Sequence, residues 1–445
     1  MKLVSPLAGL ALALVLVPAL AACSGKTLAD PSPGPDATST ATTGATATPT
    51  PAGTPGSELP PSLRQVLADA ATARNLPPPS TLKAELVARS RLPALLESLL
   101  TDEDRRWFAQ TTTLYRLLGH LRKDQDYLTV WQSFGSDSII GLYSPIHDQL
   151  WVVHDDGATI DFDNLPRQEK ETLAHELIHA IQDYNFHLDE VYESIVDDLD
   201  RNLAWTAVVE GDAVTHEAAY AKRFMSLASP SGRAFLLANF AQSSDVPPSI
   251  AREIYFPYTT GAAWIRAVVQ EHGTTKVDEM LANPPRGTAF VFHPDLLDSG
   301  WQPEDVHLPA IEAALGSGWR KESGGQWGEF GIQNYLRLRI RSLDAVTAAT
   351  GWAGDHYNVY VNGGQSAAVF RVKFASASDA NEFASAQQNL LKDSRAVFSA
   401  QGAINLARTS DGNVTATIAP SGSEVVFAIG SSQDVALLAM QAIAG

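Results

Sequence analysis

The amino-acid sequence predicts an α+β protein with a mainly helical domain that contains a short β-sheet, followed by a smaller C-terminal α+β domain. Up to about residue 282, apolar residues recur mostly at the three- and four-residue spacing of amphipathic helices, as in residues 92–100. Beyond residue 328, apolar and polar residues alternate in short runs, which is the pattern of half-buried strands. Between these parts, residues 319–328 are rich in Gly, Ser and Trp, and this change of composition predicts a domain boundary.

Length and charge limit the classes of protein to which the chain can belong. Its 445 residues are enough for two or three domains, and 45% hydrophobic with 18% charged residues is a globular composition. The formal net charge of −18 opposes binding to nucleic-acid phosphates, and no cluster of basic residues offsets it. A nucleic-acid partner is therefore not expected.

The first residues predict export and a lipid anchor. Lys2 precedes an apolar run over residues 7–22, which has the length of a signal peptide, and the run leads into the sequence LAAC at residues 20–23. This ending is typical of a lipobox, in which small residues fit the signal peptidase and the cysteine thiol accepts diacylglycerol. Because Cys23 is the only cysteine, we expect lipidation there and a mature protein anchored extracytoplasmically to the cell membrane. An ordinary signal peptide or a membrane-spanning anchor is the alternative.

The domain organisation follows from these boundaries. Residues 1–22 are the expected signal peptide. Residues 23–61, dominated by Thr, Ala, Pro, Ser and Gly, are the expected disordered tether, because such a segment cannot bury enough apolar surface to fold. The mainly helical, zincin-like domain is expected over residues 62–318 and the C-terminal domain over residues 329–445.

Three elements of the helical domain matter most. Two short apolar runs within residues 139–153 flank a turn and predict a β-hairpin. Asn164 can cap the next helix, with Pro166 in its first turn, and that helix is expected to end near Asp183. A second long helix is expected over residues 198–227.

The C-terminal domain is expected to combine strands with at least one helix. Strands are predicted at residues 335–340, 369–374 and 425–429. Ser378 is the predicted N-cap of a helix that runs through Leu391. The sequence GWAGDHY at residues 351–357 is a distinctive cluster, and we favour a role in turn formation and packing over substrate binding.

The residues that indicate chemistry lie in the sequence HELIH at residues 175–179. On a helix, His175 and His179 share one face one turn apart, so both imidazoles can bind one zinc ion. Glu176 lies beside them, where it can take a proton from a zinc-bound water and pass it to a leaving amine, since zinc lowers the pKa of that water towards neutrality. The sequence therefore predicts a Zn²⁺ site with Glu176 as the catalytic residue. The alternative is a surface helix that carries two histidines by chance.

A catalytic zinc ion normally has three protein ligands, and the predicted third is Glu210. It lies among apolar residues of the second long helix, where a buried carboxylate needs a partner. Glu217 is the second choice, and an internal salt bridge is the alternative role for Glu210. Gly211 is expected to permit close helix packing. Asp183, four residues after His179, is expected to orient an imidazole without touching the metal, the alternative being a capping or surface role.

Taken together, these residues resemble the gluzincin arrangement, in which a glutamate on a second helix follows an HExxH sequence by some thirty residues. More narrowly, residues 174–183 and 210–213 resemble uncharacterised secreted or surface zincin-like proteins of bacteria and haloarchaea, over about residues 139–220. The resemblance implies that His175, His179 and Glu210 are zinc ligands and that Glu176 is the general base.

The expected function is hydrolysis of peptide bonds by zinc-activated water in an extracytoplasmic metallopeptidase that acts on a peptide or protein substrate. The alternative is a non-catalytic envelope binding or assembly lipoprotein on a zincin scaffold, and a solute-binding lipoprotein is a third, less favoured interpretation. Tyr220, Tyr255, Tyr258 and His293 are candidate donors to a reaction oxyanion. Each is of a residue type that more often packs in a core or lies at a surface.

Overall fold

The structure is a computed structural model, and it describes residues 59–136, 139, 141–158, 161, 167–225 and 246–444. The expected signal peptide, the lipidation site Cys23 and most of the expected tether lie outside the described residues, as do Asn164 and Pro166. Helices and strands occur together throughout the described chain, so the predicted α+β class is confirmed.

The elements are numbered in chain order within the described residues. The α-helices are α1 (Pro61–Arg74), α2 (Leu92–Leu99), α3 (Asp102–Leu118), α4 (Tyr127–Ser136), α5 (Arg167–Phe186), α6 (Leu188–Glu193), α7 (Leu199–Phe224), α8 (Pro248–Phe256), α9 (Ala262–His272), α10 (Thr274–Ala282), α11 (Ala289–Phe292), α12 (Leu296–Ser299), α13 (Glu312–Leu315), α14 (Gly328–Leu336), α15 (Ser342–Ala349), α16 (Ala377–Asp393) and α17 (Gln433–Ala444). The strands are β1 (Lys83–Ala88), β2 (Gly141–Ser144), β3 (Gln149–His154), β4 (Arg320–Gly325), β5 (Trp352–Asn362), β6 (Gln365–Phe374), β7 (Val397–Gln401), β8 (Ile404–Arg408), β9 (Val414–Thr417) and β10 (Glu424–Gly430).

Two long helices, α5 and α7, pack against each other and against α1. Helix α7 begins where the Asp198 side chain accepts a hydrogen bond from the backbone N–H of Arg201, which satisfies a donor of the first turn. Helix α5 buries Leu177 and Ile181 in the same apolar cluster as Leu63 of α1. Polar side chains on these buried faces must therefore pair with one another, because unpaired polar groups are costly away from water.

Helix α7 also approaches the π-helical turn Pro257–Gly261 so closely that only glycine fits at the contact. A Cβ on Gly211 would lie 2.9 Å from the carbonyl oxygen of Gly261 and 2.7 Å from Cγ1 of Ile265. A Cβ on Gly261 would lie 2.9 Å from the Cβ of Ala207. The expectation that Gly211 permits close helix packing is confirmed.

A three-stranded sheet of order β1-β3-β2 lies beside these helices. Strands β2 and β3 form the predicted antiparallel hairpin, with Leu142 opposite Trp151, and β1 pairs with β3 in parallel. Sequence reasoning missed β1, because only Val87 of its six residues is buried and the run lacks apolar alternation. Strand β2 packs against α5 and brings its backbone next to the HELIH sequence.

The C-terminal part is a seven-stranded antiparallel sheet of order β4-β5-β6-β10-β9-β8-β7. Alternate residues of its central strands face two different cores. Val369 and Ala428 pack in a cluster with Met440 of α17. Phe370 and Phe427, opposite each other on β6 and β10, stack with ring centroids 4.5 Å apart on the other face.

That second face belongs to a core that crosses the predicted domain boundary. Phe370 and Phe427 share one apolar cluster with Leu96, Leu114 and Trp327, and α3 contacts both β6 and β10. The helical part and the seven-stranded sheet are therefore packed on each other through a common interior.

Several predictions for this part need correction. Residues 319–328, where the domain boundary is expected, contain the edge strand β4, which pairs with β5. Residues 335–340 are not a strand: α14 continues to Leu336, and the next four backbone N–H groups bond back to residues 333–336 as a helical turn does. The N-cap of α16 is Ser376 rather than Ser378, since its side chain accepts from the backbone N–H of Asp379. The strands expected at residues 369–374 and 425–429 are confirmed within β6 and β10.

Residues 352–357 form the start of β5, and Gly351 precedes it in a turn, in keeping with the expected role in turn formation and packing. Gly351 has a φ of +85°, which favours glycine. The Asp355 carboxylate accepts hydrogen bonds from the backbone N–H groups of Trp327 and Gly328, and so holds the first turn of α14.

Within the described part of the chain, no helix combines the length and apolarity needed to cross a bilayer.

Candidate metal centre

Helices α5 and α7 bring the three predicted ligands together. His175, His179 and Glu210 are 1%, 2% and 1% exposed, and one ligand atom from each lies within 4.8 Å of the others. The Nε2 atoms of both histidines lie 3.3 Å from Oε2 of Glu210. The arrangement offers two imidazole nitrogens and a carboxylate oxygen to one cation, which is a donor set that catalytic zinc ions use.

Each imidazole is oriented by a partner at Nδ1. Nδ1 of His175 lies 3.0 Å from Oε2 of Glu217, and a carboxylate can only accept, so this nitrogen carries a hydrogen. Nδ1 of His179 lies 2.8 Å from Oε1 of Gln182. The Gln182 amide nitrogen donates to the Val209 carbonyl oxygen at 2.9 Å, which fixes the amide oxygen towards the histidine. Both rings thus present Nε2 to the centre when neutral.

Asp183, predicted to orient an imidazole, does not do so. Its carboxylate accepts a hydrogen bond from the Tyr143 hydroxyl at 2.7 Å and another from the backbone N–H of Leu188 at 3.0 Å. It therefore joins β2 to the start of α6, which is the capping role that the sequence left as the alternative. Gln182 was missed; its sequence signal was its position three residues after His179, on the same helical face.

The electrostatics of the three ligands favour a positive charge between them. Burial alone would lower the pKa of His175, but hydrogen bonds and charges of Glu210 and Glu217 raise that pKa to about 10. Burial alone would raise the pKa of Glu210, but the two imidazoles hold it at about 2. Without a bound cation, a proton on His175 supplies the positive charge that the two carboxylates require.

Glu176 has the environment of a general base. It is 0% exposed; Oε2 accepts from the backbone N–H of Tyr143 at 3.1 Å, and Oε1 has no hydrogen-bond partner among the described residues. Burial raises the pKa of Glu176 to about 8, against the opposing charge of His175. Strand β2 approaches Glu176 at Gly141, where a Cβ would lie only 2.7 Å from its Cγ. A carboxylate with one free oxygen and a pKa near neutrality suits proton transfer.

Of the four candidate oxyanion donors, Tyr258 is the one placed at this centre. Its ring stacks on that of His175, with centroids 6.5 Å apart. Burial, and then the charge of Glu210 and a hydrogen bond to it, raise the pKa of Tyr258 well above its usual value, so the hydroxyl stays protonated. The other three are placed elsewhere: Tyr220 packs against Phe224 with tilted rings, Tyr255 packs at the edge of the main core, and His293 pairs with Glu329.

A buried ion pair supports the ligand helices from α1. Nε of Arg74 lies 2.7 Å from Oδ2 of Asp212, and both side chains are almost completely buried. The same oxygen accepts from the Gln182 amide nitrogen at 2.8 Å. Burial alone would raise the pKa of Asp212, but Arg74 and His216, with the hydrogen bonds from His216 and Gln182, hold it well below the usual range. A chain of contacts therefore runs from Arg74 through Asp212 and Gln182 to the imidazole of His179.

A second grouping of possible ligands lies at the surface. Glu271 and Asp298 are exposed and His272 is half-buried. Exposed acidic groups cluster commonly without a metal, and no general base accompanies this group, so it supports no function.

The chain is similar to one domain family, described as a domain of unknown function (DUF8575), over residues 318–439. The matched segment covers the seven-stranded sheet and most of α17, and it begins well after the α5 and α7 ligands in sequence. No curated protein and no solved structure matches the chain.

Proposed function

We propose that the protein is an extracytoplasmic zinc metallopeptidase, of the gluzincin type, anchored to the membrane through Cys23. The observation that carries the proposal is the convergence of His175, His179 and Glu210 on one point beside Glu176. Both imidazoles have a fixed partner at Nδ1, which is how metal-binding histidines are usually held.

The three ligands would hold Zn²⁺, which supplies Lewis acidity and lowers the pKa of water. Glu176 then takes a proton from the attacking water on its free oxygen Oε1 and delivers that proton to the leaving amine. Its backbone hydrogen bond from Tyr143 keeps the other oxygen in place during both transfers. Tyr258 is protonated and hydrogen-bonded to Glu210; in this proposal its hydroxyl transfers that hydrogen bond to the carbonyl oxygen as this oxygen becomes negative.

The test compares the purified full chain with three variants in metal content and in hydrolysis of a mixed peptide library. We expect Glu176→Gln to keep zinc and lose hydrolysis by at least about 10³-fold, because the base is absent while the ligands remain. His179→Ala should lose both. Glu190→Gln, on the exposed side of α6, is the control and should change neither.

The outcomes separate the proposal from its main alternative. Full hydrolysis by Glu176→Gln would refute the mechanism. Absence of both zinc and hydrolysis in the wild-type chain would favour the non-catalytic envelope lipoprotein, in which the buried histidines and carboxylates serve only to pair with each other.

A further inference from the structure

A cavity of about 150 Å³ reaches the candidate metal centre along one face of α7. Leu199, Leu203, Thr206 and Glu210 line it, and their spacing of four, three and four residues places them on a single helical face. The cavity reaches Glu210 and Tyr258, and the Tyr258 ring stacks on that of His175.

The walls of the cavity are mainly aromatic. Rings from α3, α4 and the α14 region line it, and they include Trp107, Phe108, Trp131, Trp327 and Phe330. Trp107 and Phe108 pack with centroids 5.1 Å apart at 77°, and Phe108 and Trp131 with centroids 5.4 Å apart at 56°. Because the rings pack on one another, the wall is preformed and part of each ring face is already covered.

Glu253, one of the three carboxylates that line the cavity, is already paired. Glu253 accepts hydrogen bonds from the hydroxyls of Tyr115 at 2.6 Å and Tyr127 at 2.9 Å. Burial raises the pKa of Glu253 to about 7, opposed by the hydrogen bonds from these two hydroxyls. Apart from Nδ1 of His120, which has no hydrogen-bond partner among the described residues, the wall offers a ligand mostly carbon.

From these observations we propose that the cavity receives a large apolar side chain, above all an aromatic one, from the substrate residue next to the bond that is cleaved. That the ligand is a substrate rests on the proposed peptidase function, whereas the apolar binding site itself does not. A cavity of similar size with apolar walls can hold a benzene ring. Burial of a ring there is favourable, whereas a lysine or glutamate side chain loses its hydration without a partner.

The first experiment measures kcat/KM of the full-length protein for quenched peptides that differ at one position, occupied by Phe, Leu, Ala, Lys or Glu, which is moved in turn along the peptide. At one position we expect Phe to exceed Lys and Glu by at least about 10-fold, with Leu between Phe and Ala. Equal rates at every position, or a preference for Lys, would overturn the proposal.

The second experiment measures binding of N-acetylphenylalanine amide and N-acetyllysine amide by isothermal calorimetry and tryptophan fluorescence, without hydrolysis. Only the phenylalanine amide should bind saturably. Thr206→Trp should abolish this binding by filling the cavity, and Leu203→Phe, a smaller change, should weaken it. Lys222→Trp, exposed near the end of the same helix, is the matched control and should bind like wild type.

The two experiments distinguish the two proposals. Saturable phenylalanine-amide binding that Thr206→Trp removes, in a protein that cleaves no peptide, keeps the apolar site and rejects the peptidase. If peptides are cleaved without side-chain preference, and equally by Thr206→Trp and Leu203→Phe, the peptidase proposal stands and the apolar binding site is rejected. If Thr206→Trp fails to fold, Leu203→Phe and the wild-type peptide series decide the question.

Discussion

Replacing Arg74 by methionine tests whether the buried ion pair beneath the candidate metal centre supports the fold. Arg74 and Asp212 are 1% and 0% exposed, and their Nε and Oδ2 atoms lie 2.7 Å apart. Loss of the guanidinium leaves the Asp212 carboxylate buried without its strongest cationic partner. Breaking a buried pair in this way costs about 3–5 kcal/mol of unfolding free energy.

A surface pair in the same molecule provides the matched control. Nη1 of Arg105 and Oε1 of Glu97 are also 2.7 Å apart, but their side chains are 42% and 51% exposed. Water screens this pair, so Arg105→Met is expected to cost less than about 1 kcal/mol. The two variants thus compare burial at equal distance and with the same substitution, and Arg74→Met in addition removes the ion pair between Nη2 of Arg74 and Oδ1 of the partly exposed Asp278.

The assay is urea unfolding of the full chain, followed by tryptophan fluorescence, for wild type, both single variants and Arg74→Met/Asp212→Asn. The double variant should lose less unfolding free energy than the two single variants together, because Asp212→Asn removes the charge that Arg74→Met leaves buried without its partner. Equal losses for Arg74→Met and Arg105→Met, or strict additivity in the double variant, would refute the reasoning.

Three further substitutions probe the site. Glu217→Gln, which weakens the support of His175, should lower zinc affinity about 10–100-fold in competition with a chelator; unchanged affinity would exclude that role. Gly141→Ala should reduce kcat about 10²-fold at unchanged zinc content, because its Cβ displaces the Glu176 side chain; undiminished turnover would show that the displacement is harmless. Burial raises the pKa of Glu253 from 4.5 to about 7, so the folded state binds the proton more tightly than the unfolded state. The contribution of this group to the free energy of unfolding is fully present below pH 4.5 and is lost as the pH rises through 7. Between these pH values the melting temperature of Glu253→Gln should therefore fall less than that of the wild type. Parallel curves for the two proteins would contradict this.

The sequence predicts the three candidate ligands well because helical geometry is local. His175 and His179 are four residues apart, and any regular helix puts them on one face. Glu210 was chosen because it lies in an apolar stretch, where a carboxylate must find a partner. The structure brings all three together.

The side chains that support the ligands were harder to predict, because they depend on tertiary packing. Asp183 has a suitable spacing from His179, yet Tyr143 and the start of α6 engage its carboxylate instead. Arg74 lies 138 residues from its partner Asp212 in sequence, and no local pattern connects the two. Burial of both follows only from the packing of α1 on α7.

Alternation of apolar and polar residues predicts a strand wrongly where the alternating run is short. Six residues from 335 to 340 alternate as a strand does, but the first two complete α14 and pack into the main core. The edge strand β4 is not predicted by the sequence, because its Gly and Ser residues disfavour strands, and it is pairing with β5 that makes them one.

The stacked pair of Phe370 and Phe427 bears on what the match over residues 318–439 means. Both rings belong to the matched segment, but the core that covers them includes Leu96 and Leu114 from outside it. The matched segment therefore shares its apolar core with parts of this chain that lie outside the match. A protein that carries the segment alone must cover this aromatic face with other helices or with a second subunit. Otherwise the face is exposed as an apolar surface that favours association.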